Sequence, residues 1–350
     1  MARSLARIKP LFNYFKSDRT QKATCVLLIL LFCLAFTLRY LLSADRSSAA
    51  TTFADAPVIV RNGELDFPGS LVTTNRPSNS IVLFLPGSGP TDRNGNNPLG
   101  VSGSPYRQLA QHLAAFGIDS IRFDKRDILL DGSLHVDSIY EYVRDTNAFI
   151  KYSRLKLGKR CVWLLGHSEG GLIALLTASQ NSSAVCGIIL LNCPGRNFSE
   201  ILTDQARKML EPKAFLQVEG AIKSLRQGLF VKASGLPQPF NTILRSDVQF
   251  FLISEFSKSP VEIIAKLRMP IVIIQGMADS QIDPGEANLL HKAATRSNIQ
   301  FILGMNHVLK VNRRPSSSSD GDCYNDIKCE VPLGLGEIIA KNIFSLAHRR

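Results

Sequence analysis

Gly166-His167-Ser168-Glu169-Gly170 sets a hydroxyl between two glycines, each two residues away from it. A serine hydroxyl is a poor nucleophile until a neighbouring base takes its proton, so a reactive serine needs a histidine and an acid behind it. Val162 to Leu165 is a short apolar run of the kind that forms a strand buried on both faces, and Leu172 to Ala178 reads as a Leu- and Ala-rich helix. Strand, sharp turn and helix in that order hold the serine in a strained conformation and require small residues on either side of it. The turn also brings the N–H groups of the helix start toward the hydroxyl. Chance is the plain alternative for so short a pattern, and the flanking strand and helix weigh against it.

The chain has six histidines. His167 adjoins the serine with its side chain directed elsewhere. His112, His135 and His348 fall in predicted helices or loops away from strand ends, and His291 lies inside a helix. His307, in Gly304-Met-Asn-His-Val308, follows a late strand and is the candidate base. Two acids follow the strand before that one, Asp279 and Asp283. Asp283 directly precedes Pro284 and reads more simply as a helix cap. An acid in this place fixes the imidazole tautomer and stabilises the imidazolium.

These residues need a scaffold, and the chain supplies alternating strands and helices. Pro57 to Arg61 and Leu71 to Thr74 are expected to form an antiparallel hairpin. Ile81 to Leu85 is a predicted strand, leading into Pro86-Gly-Ser-Gly-Pro-Thr-Asp-Arg-Asn-Gly-Asn96. A helix is predicted over Ser104 to Phe116 with Ser104 as N-cap, then a strand over Ile118 to Phe123, then Asp124-Lys-Arg126. A long helix over Val136 to Leu155 leads to the serine strand, and Val185 to Leu191 is the strand after it. This alternation implies an α/β class: a mostly parallel sheet with helices on both faces. It breaks over residues 197–266, which read as helices alone (Phe198–Leu210, Pro212–Leu229, Asp247–Phe256) and are expected to cap the site, peripheral decoration being the alternative. It resumes with strand Ile271–Gln275, helix Gly285–Ala294, strand Ile299–Leu303 and helix Leu335–Ala347. Ser316–Ser319 is the one low-complexity stretch.

The formal charge of +12 does not mark a nucleic-acid partner. Arg3, Arg7, Lys9, Lys16, Arg19 and Lys22, against Asp18, concentrate much of it ahead of Ala23–Leu42, and the rest is scattered without aromatic interleaving. Ala23–Leu42 has the length and apolarity to cross a bilayer, with Arg39 and Tyr40 near one end. The positive-inside rule places residues 1–22 in the cytoplasm and the body outside. The expected organisation is a basic tail (1–22), a transmembrane signal anchor (23–42), a flexible stalk (43–54) and one large domain (55–350); secretion after signal cleavage is the alternative. Cys161, Cys186 and Cys193 fall in or beside core strands and read as small apolar groups, whereas Cys323 and Cys329 bracket a polar stretch and are placed to close a small disulfide. Neither a metal site nor an organic cofactor is expected; Pro86-Gly-Ser-Gly-Pro90 lacks the Gly-Lys-Ser/Thr ending of a phosphate loop.

Five stretches in order carry a family resemblance: Gly87-Ser-Gly-Pro-Thr-Asp-Arg-Asn-Gly-Asn96, Gly166-His-Ser-Glu-Gly170, Pro194-Gly-Arg196, Gln275-Gly-Met-Ala-Asp-Ser-Gln-Ile282 and Met305-Asn-His-Val-Leu-Lys310. Over about residues 55–348 the chain resembles the α/β-hydrolase superfamily, and more narrowly exported bacterial serine hydrolases related to serine aminopeptidases and dienelactone hydrolases. Asn94 replaces the family's Asp, Ile282 its Val, and Ser316–Cys329 is a departure near His307. The resemblance implies a Ser168–Asp279–His307 triad, with oxyanion donors from the backbone of Glu169 and of Ser88. It implies hydrolysis of a small ester or acyl substrate at the non-cytoplasmic face of the membrane, that of a bacterial inner membrane facing the periplasm. The rivals are an acyltransferase, thioesterase or peptidase with the same triad, and a non-catalytic binding protein on the same scaffold. Asp92 and Arg93 are expected to pair with each other and hold the oxyanion loop, with substrate contact as the alternative. Glu169 is expected either to bond Arg126 or to face solvent.

Overall fold

The computed structural model describes residues 53–98, 100–129, 136–311, 323–326 and 329–347. The basic tail, the apolar segment 23–42, most of the stalk, His135, Ser316–Ser319 and His348 lie outside the described residues. Among the described residues no helix is long and apolar enough to cross a membrane.

Eight strands form one sheet in the order β1-β2-β4-β3-β5-β6-β7-β8. β1 (Ala56–Asn62) and β2 (Leu65–Val72) make the expected antiparallel hairpin, and β2 also runs antiparallel to β4 (Ser120–Phe123). β3 (Ser80–Leu85), β5 (Cys161–His167), β6 (Val185–Leu191), β7 (Ile271–Gly276) and β8 (Asn298–Ile302) continue parallel. β2 starts earlier than its apolar run because Asp66, Pro68 and Gly69 interrupt the alternation. The centre of the sheet reads as continuous Val, Ile and Leu because both faces are covered.

One face packs on helices α3 (Ile139–Leu155) and α4 (Glu169–Gln180), the other on α1 (Pro105–Ala115) and the terminal α11 (Leu333–Ala347). Between α1 and α3 lies the single turn α2 (Arg126–Leu129). α3 begins later than the sequence suggests: the Ser138 hydroxyl accepts from Tyr140 N–H at 3.3 Å and caps the helix there. Ser104, by contrast, does not cap α1. It has φ 50° and its N–H and hydroxyl donate to Asn96 Oδ1, tying the helix start to the loop after β3.

Residues 197–266 form the expected helical cap: α5 (Phe198–Met209), α6 (Pro212–Arg226), α7 (Phe240–Ile243), α8 (Gln249–Phe256) and α9 (Pro260–Ile264). α5, α6 and α8 bury a small core of their own, with Leu202, Val218, Ile222, Leu225 and Phe256, while Ile264 on α9 joins the core of the sheet. It docks through Ser254 Oγ on Ser138 Oγ at 2.9 Å and through Phe251 edge-on to Tyr142, with ring centroids 5.5 Å apart. α10 (Pro284–Ala293) returns to the sheet, capped as expected by Asp283, whose carboxylate accepts from Gly285 N–H at 2.8 Å.

Cys161 and Cys186 correct the sequence expectation. Rather than separate buried thiols they are a disulfide, with Cα atoms 5.3 Å apart. The cause is tertiary: Cys161 begins β5, and Cys186 is the second residue of the neighbouring parallel β6, beside the register irregularity at Val162/Trp163. Cys323 and Cys329 are joined as expected, and Cys193 remains a free, buried thiol.

Candidate active site

Ser168 stands between β5 and α4 with φ 53° and ψ −122°, a strained conformation for a non-glycine residue. The flanking glycines are a steric necessity. A Cβ on Gly166 would lie 2.3 Å from Gly170 O, and one on Gly170 would lie 2.1 Å from Leu85 O. The turn therefore presses β5, α4 and the end of β3 together, with the oxyanion loop beside the serine.

His307 lies in the loop after β8, and its Nδ1 donates to Asp279 Oδ2 at 2.9 Å. Asp279, after β7, accepts the N–H groups of Gln281 and Ile282 on its other oxygen, each at 2.9 Å. The carboxylate is thus held as an acceptor and fixes the tautomer of the neutral ring with its proton on Nδ1. Ser88, Ser168, Glu169 and His307 line one cavity of about 630 Å³. Among the described residues neither the Ser88 nor the Glu169 backbone N–H has a hydrogen-bond partner. Two free donors beside a strained serine are what an oxyanion at that place requires.

Residues that the sequence did not single out hold this arrangement. His167 is fully buried under the site: its Nε2 donates to His307 O at 2.7 Å, so its Nδ1 accepts from Tyr106 O–H at 2.8 Å. Tyr106 in turn accepts from Gly87 N–H at 3.3 Å. One neutral imidazole thus links the His307 loop to the loop after β3. Burial, helped by repulsion from His307, lowers His167 to about 3, so it stays uncharged. Asn192, at the end of β6 with φ 49°, donates to Asn306 O and His307 O and accepts from Gly276 N–H, tying the acid strand to the base loop. In the sequence these residues look like ordinary core positions. The signal available was only that strands end at His167 and Asn192, where such sheets carry their polar residues.

The oxyanion loop is held differently from the expectation. Asp92 does not pair with Arg93; it folds the loop on itself by accepting the N–H groups of Asn94 and Asn96, both at 2.8 Å. Arg93 instead forms a two-pronged pair with Asp124 after β4, at 2.5 and 3.0 Å. Asn94 accepts from the buried Arg122 at 2.8 Å. Glu169 neither bonds Arg126 nor faces solvent. It pairs with buried Lys125 at 2.6 Å, while Arg126 is taken by Glu141 and Asp145 on α3.

The cap forms the opposite wall, with Phe198, Leu202, Phe251 and Leu252 giving it an apolar surface. Gln205, Arg245, Asp247 and Glu255 interrupt it, and the last is the most buried. Glu255 on α8 is 1% exposed, and neither carboxylate oxygen has a hydrogen-bond partner among the described residues. Burial, with the charge of Glu169, pushes its pKa well above the usual carboxylate range, and Lys125 pulls it back.

A comparison with curated proteins finds no match. Residues 99–212 match the family profile described as "Serine aminopeptidase, S33". Among solved structures the chain is similar to Est1E from Butyrivibrio proteoclasticus, with 13% identity and a TM-score of 0.55, covering 84% of this chain and 100% of that one. It is also similar to the Pyrococcus furiosus esterase Pf2001, with 13% identity and a TM-score of 0.52, covering 84% and 93%. At such identities the likeness is one of fold. With the sheet order and the strained serine between β5 and α4, the chain has the α/β-hydrolase fold, and the matched profile spans that turn.

Proposed function

We propose that the protein is a serine hydrolase that works through an acyl-enzyme. Ser168 Oγ attacks the substrate carbonyl while His307 Nε2 takes its proton. Asp279 orients the imidazole, and the Ser88 and Glu169 N–H groups hold the oxyanion. His307 then returns the proton to the leaving group and activates the water that releases the acid. The observation that carries this reading is the His307–Asp279 hydrogen bond of 2.9 Å in the same cavity as a strained serine and two unpartnered N–H donors.

The acceptor chemistry has two readings, each with its own support. The apolar side chains of the cap wall suit an acyl or alkyl chain and support an ester. The profile described as a serine aminopeptidase, together with the unpartnered Glu255 carboxylate, supports a substrate with a free amine and an amide bond, and we place this reading first. An ammonium against Glu255 would satisfy both oxygens and draw the group into its ionised form.

The test uses the full-length chain and a fluorophosphonate probe, with p-nitrophenyl esters and p-nitroanilides of the same acyl group, with and without a free amine. Labelling is expected in the wild type and absent in Ser168→Ala, with kcat lower by on the order of 10⁴-fold or more. Glu255→Gln is expected to raise KM for the amine-bearing anilide. A folded wild type that is neither labelled nor active would move the binding-protein reading to the front.

We further propose that the body faces an oxidising compartment, anchored by residues 23–42. The Cys161–Cys186 and Cys323–Cys329 disulfides support that compartment. A reporter enzyme active only in the periplasm, fused after Arg350, tests it; a signal seen only with a cytoplasmic reporter would exclude it.

A further inference from the structure

Three consecutive residues after β4, Asp124-Lys125-Arg126, are all ion-paired, and Lys125 reaches Gly87 and Glu169, which line the cavity. Asp124 clamps Arg93 in the oxyanion loop, and Arg126 anchors the turn to α3. Lys125 makes the most unusual contacts. It is 2% exposed, and its ammonium has three partners for three protons: Glu169 Oε1 at 2.6 Å, Gly87 O at 3.1 Å and the ring of Tyr142, 4.2 Å from its centroid. Its backbone N–H adds a fourth tie, to Thr91 O at 3.1 Å.

Gly87 O and Ser88 N–H belong to one peptide group. That group is planar and trans, so fixing the direction of the carbonyl fixes the direction of the N–H. A charged donor on the carbonyl also polarises the peptide and strengthens its N–H as a donor. The same ammonium holds the side chain of Glu169, whose backbone supplies the other free donor. We propose that Lys125 is a positioning residue that sets both donors of the oxyanion hole through one buried cation. The inference rests on the hydrolase reading given above.

Two alternatives for Lys125 fit less well. Burial lowers its pKa, but the charges of Glu169 and Asp127 outweigh burial and raise it, so it stays an ammonium and does not act as a base. A buried ion pair is also weak as a device for stability alone, because desolvation offsets most of its Coulomb energy and an apolar pair of similar volume would pack as well. Geometry at a reacting centre is what such a pair supplies and an apolar pair does not.

The experiment compares wild type, Lys125→Met, Lys125→Arg and the double variant Lys125→Met/Glu169→Gln in the full-length chain. The double variant leaves no unpaired charge behind, so it keeps the test open if Lys125→Met alone fails to fold. The readouts are kcat and KM on a p-nitrophenyl ester, and the affinity of a trifluoromethyl ketone to which Ser168 adds as a tetrahedral adduct. Lys125→Met and the double variant are expected to lose kcat by about 10²-fold with KM within about threefold, since an oxyanion donor acts only on the transition state. Ketone affinity should fall in proportion to kcat/KM across the set, with Lys125→Arg intermediate. A folded double variant that keeps kcat within about threefold, or one that changes only KM, would overturn the proposal. Failure of the hydrolase reading looks different: the wild type itself would neither turn over nor bind the ketone, and the inference would fall with it.

Discussion

The two walls of the cavity are built on opposite principles. On the core side, Asp279, His167, Asn192 and Lys125 have partners for their polar groups, and these tie elements distant in sequence: Asp279 to His307, His167 and Asn192 to the His307 loop, and Lys125 to Glu169 and Gly87. On the cap side the surface is mixed, with apolar side chains beside Gln205, Arg245 and Asp247; its helices share a core of their own, and its buried carboxylate, Glu255, has no hydrogen-bond partner among the described residues. A satisfied network has one low-energy arrangement, which suits groups that must meet a transition state in fixed geometry. An unsatisfied group on a separately packed wall is costly when empty and becomes favourable only with a ligand. The difference teaches where to look for each property: rate on the core wall, substrate choice on the cap wall.

The largest expected effect breaks the core wall at its acid. Asp279→Asn replaces the acceptor for His307 Nδ1–H with a group able to impose the other tautomer, and kcat should fall by about 10⁴-fold with the fold retained. Steady-state kinetics beside circular dichroism checks this, and a loss under tenfold would show that the tautomer is fixed by something else. Tyr106→Phe strikes the same wall one layer back. It strips partners from His167 Nδ1 and Gly87 N–H, and chemical denaturation should register a loss of about 1–3 kcal/mol. The rate should drop by roughly tenfold at most, because the reacting groups keep their own contacts.

The smallest effect sharpens the cap side and depends on pH. Glu255 holds its proton in the folded chain to a higher pH than in the unfolded chain. The folded state therefore binds more protons across that interval, and stability falls as pH rises from the ordinary glutamate range of about 4–5. Glu255→Gln removes this dependence. Urea midpoints of variant and wild type should coincide near the bottom of that range and diverge above it, the variant being more stable by about 1.4 kcal/mol for each unit of upward shift. Midpoints that move in parallel at every pH would mean that Glu255 is ionised and paired, and the contrast between the walls would weaken.

Much of the scaffold was legible because its signals are local. Buried strands appear as Val-, Ile- and Leu-rich runs, and β6 begins and ends where its run does. The Gly166 requirement is also local, since the atoms it avoids belong to the turn itself, whereas Gly170 avoids Leu85 O at the end of β3. Boundaries set by a cap or a turn were less legible, as Ser138 and Ser104 show in opposite directions. The pairings of the charged residues were hardest to read. Arg93, Arg126 and Glu169 all found partners other than those expected, and Lys125 one for which there was no expectation, because charges attract at any sequence separation and only the packed sheet decides which come within reach.

By itself the sequence determined an α/β chain with a strained serine between strand and helix, a late histidine after an acid loop, and a helical insertion between them. Those follow from periodicity, glycine sterics and order along the chain. Tertiary structure alone decided that Cys161 meets Cys186, that His167 meets the His307 loop, that Lys125 bonds both Glu169 and Gly87 O and that Ser254 of the cap meets Ser138. The physical reason is common to all four. Each is a contact between side chains or loops distant in sequence, and its geometry exists only once the strands have taken their places.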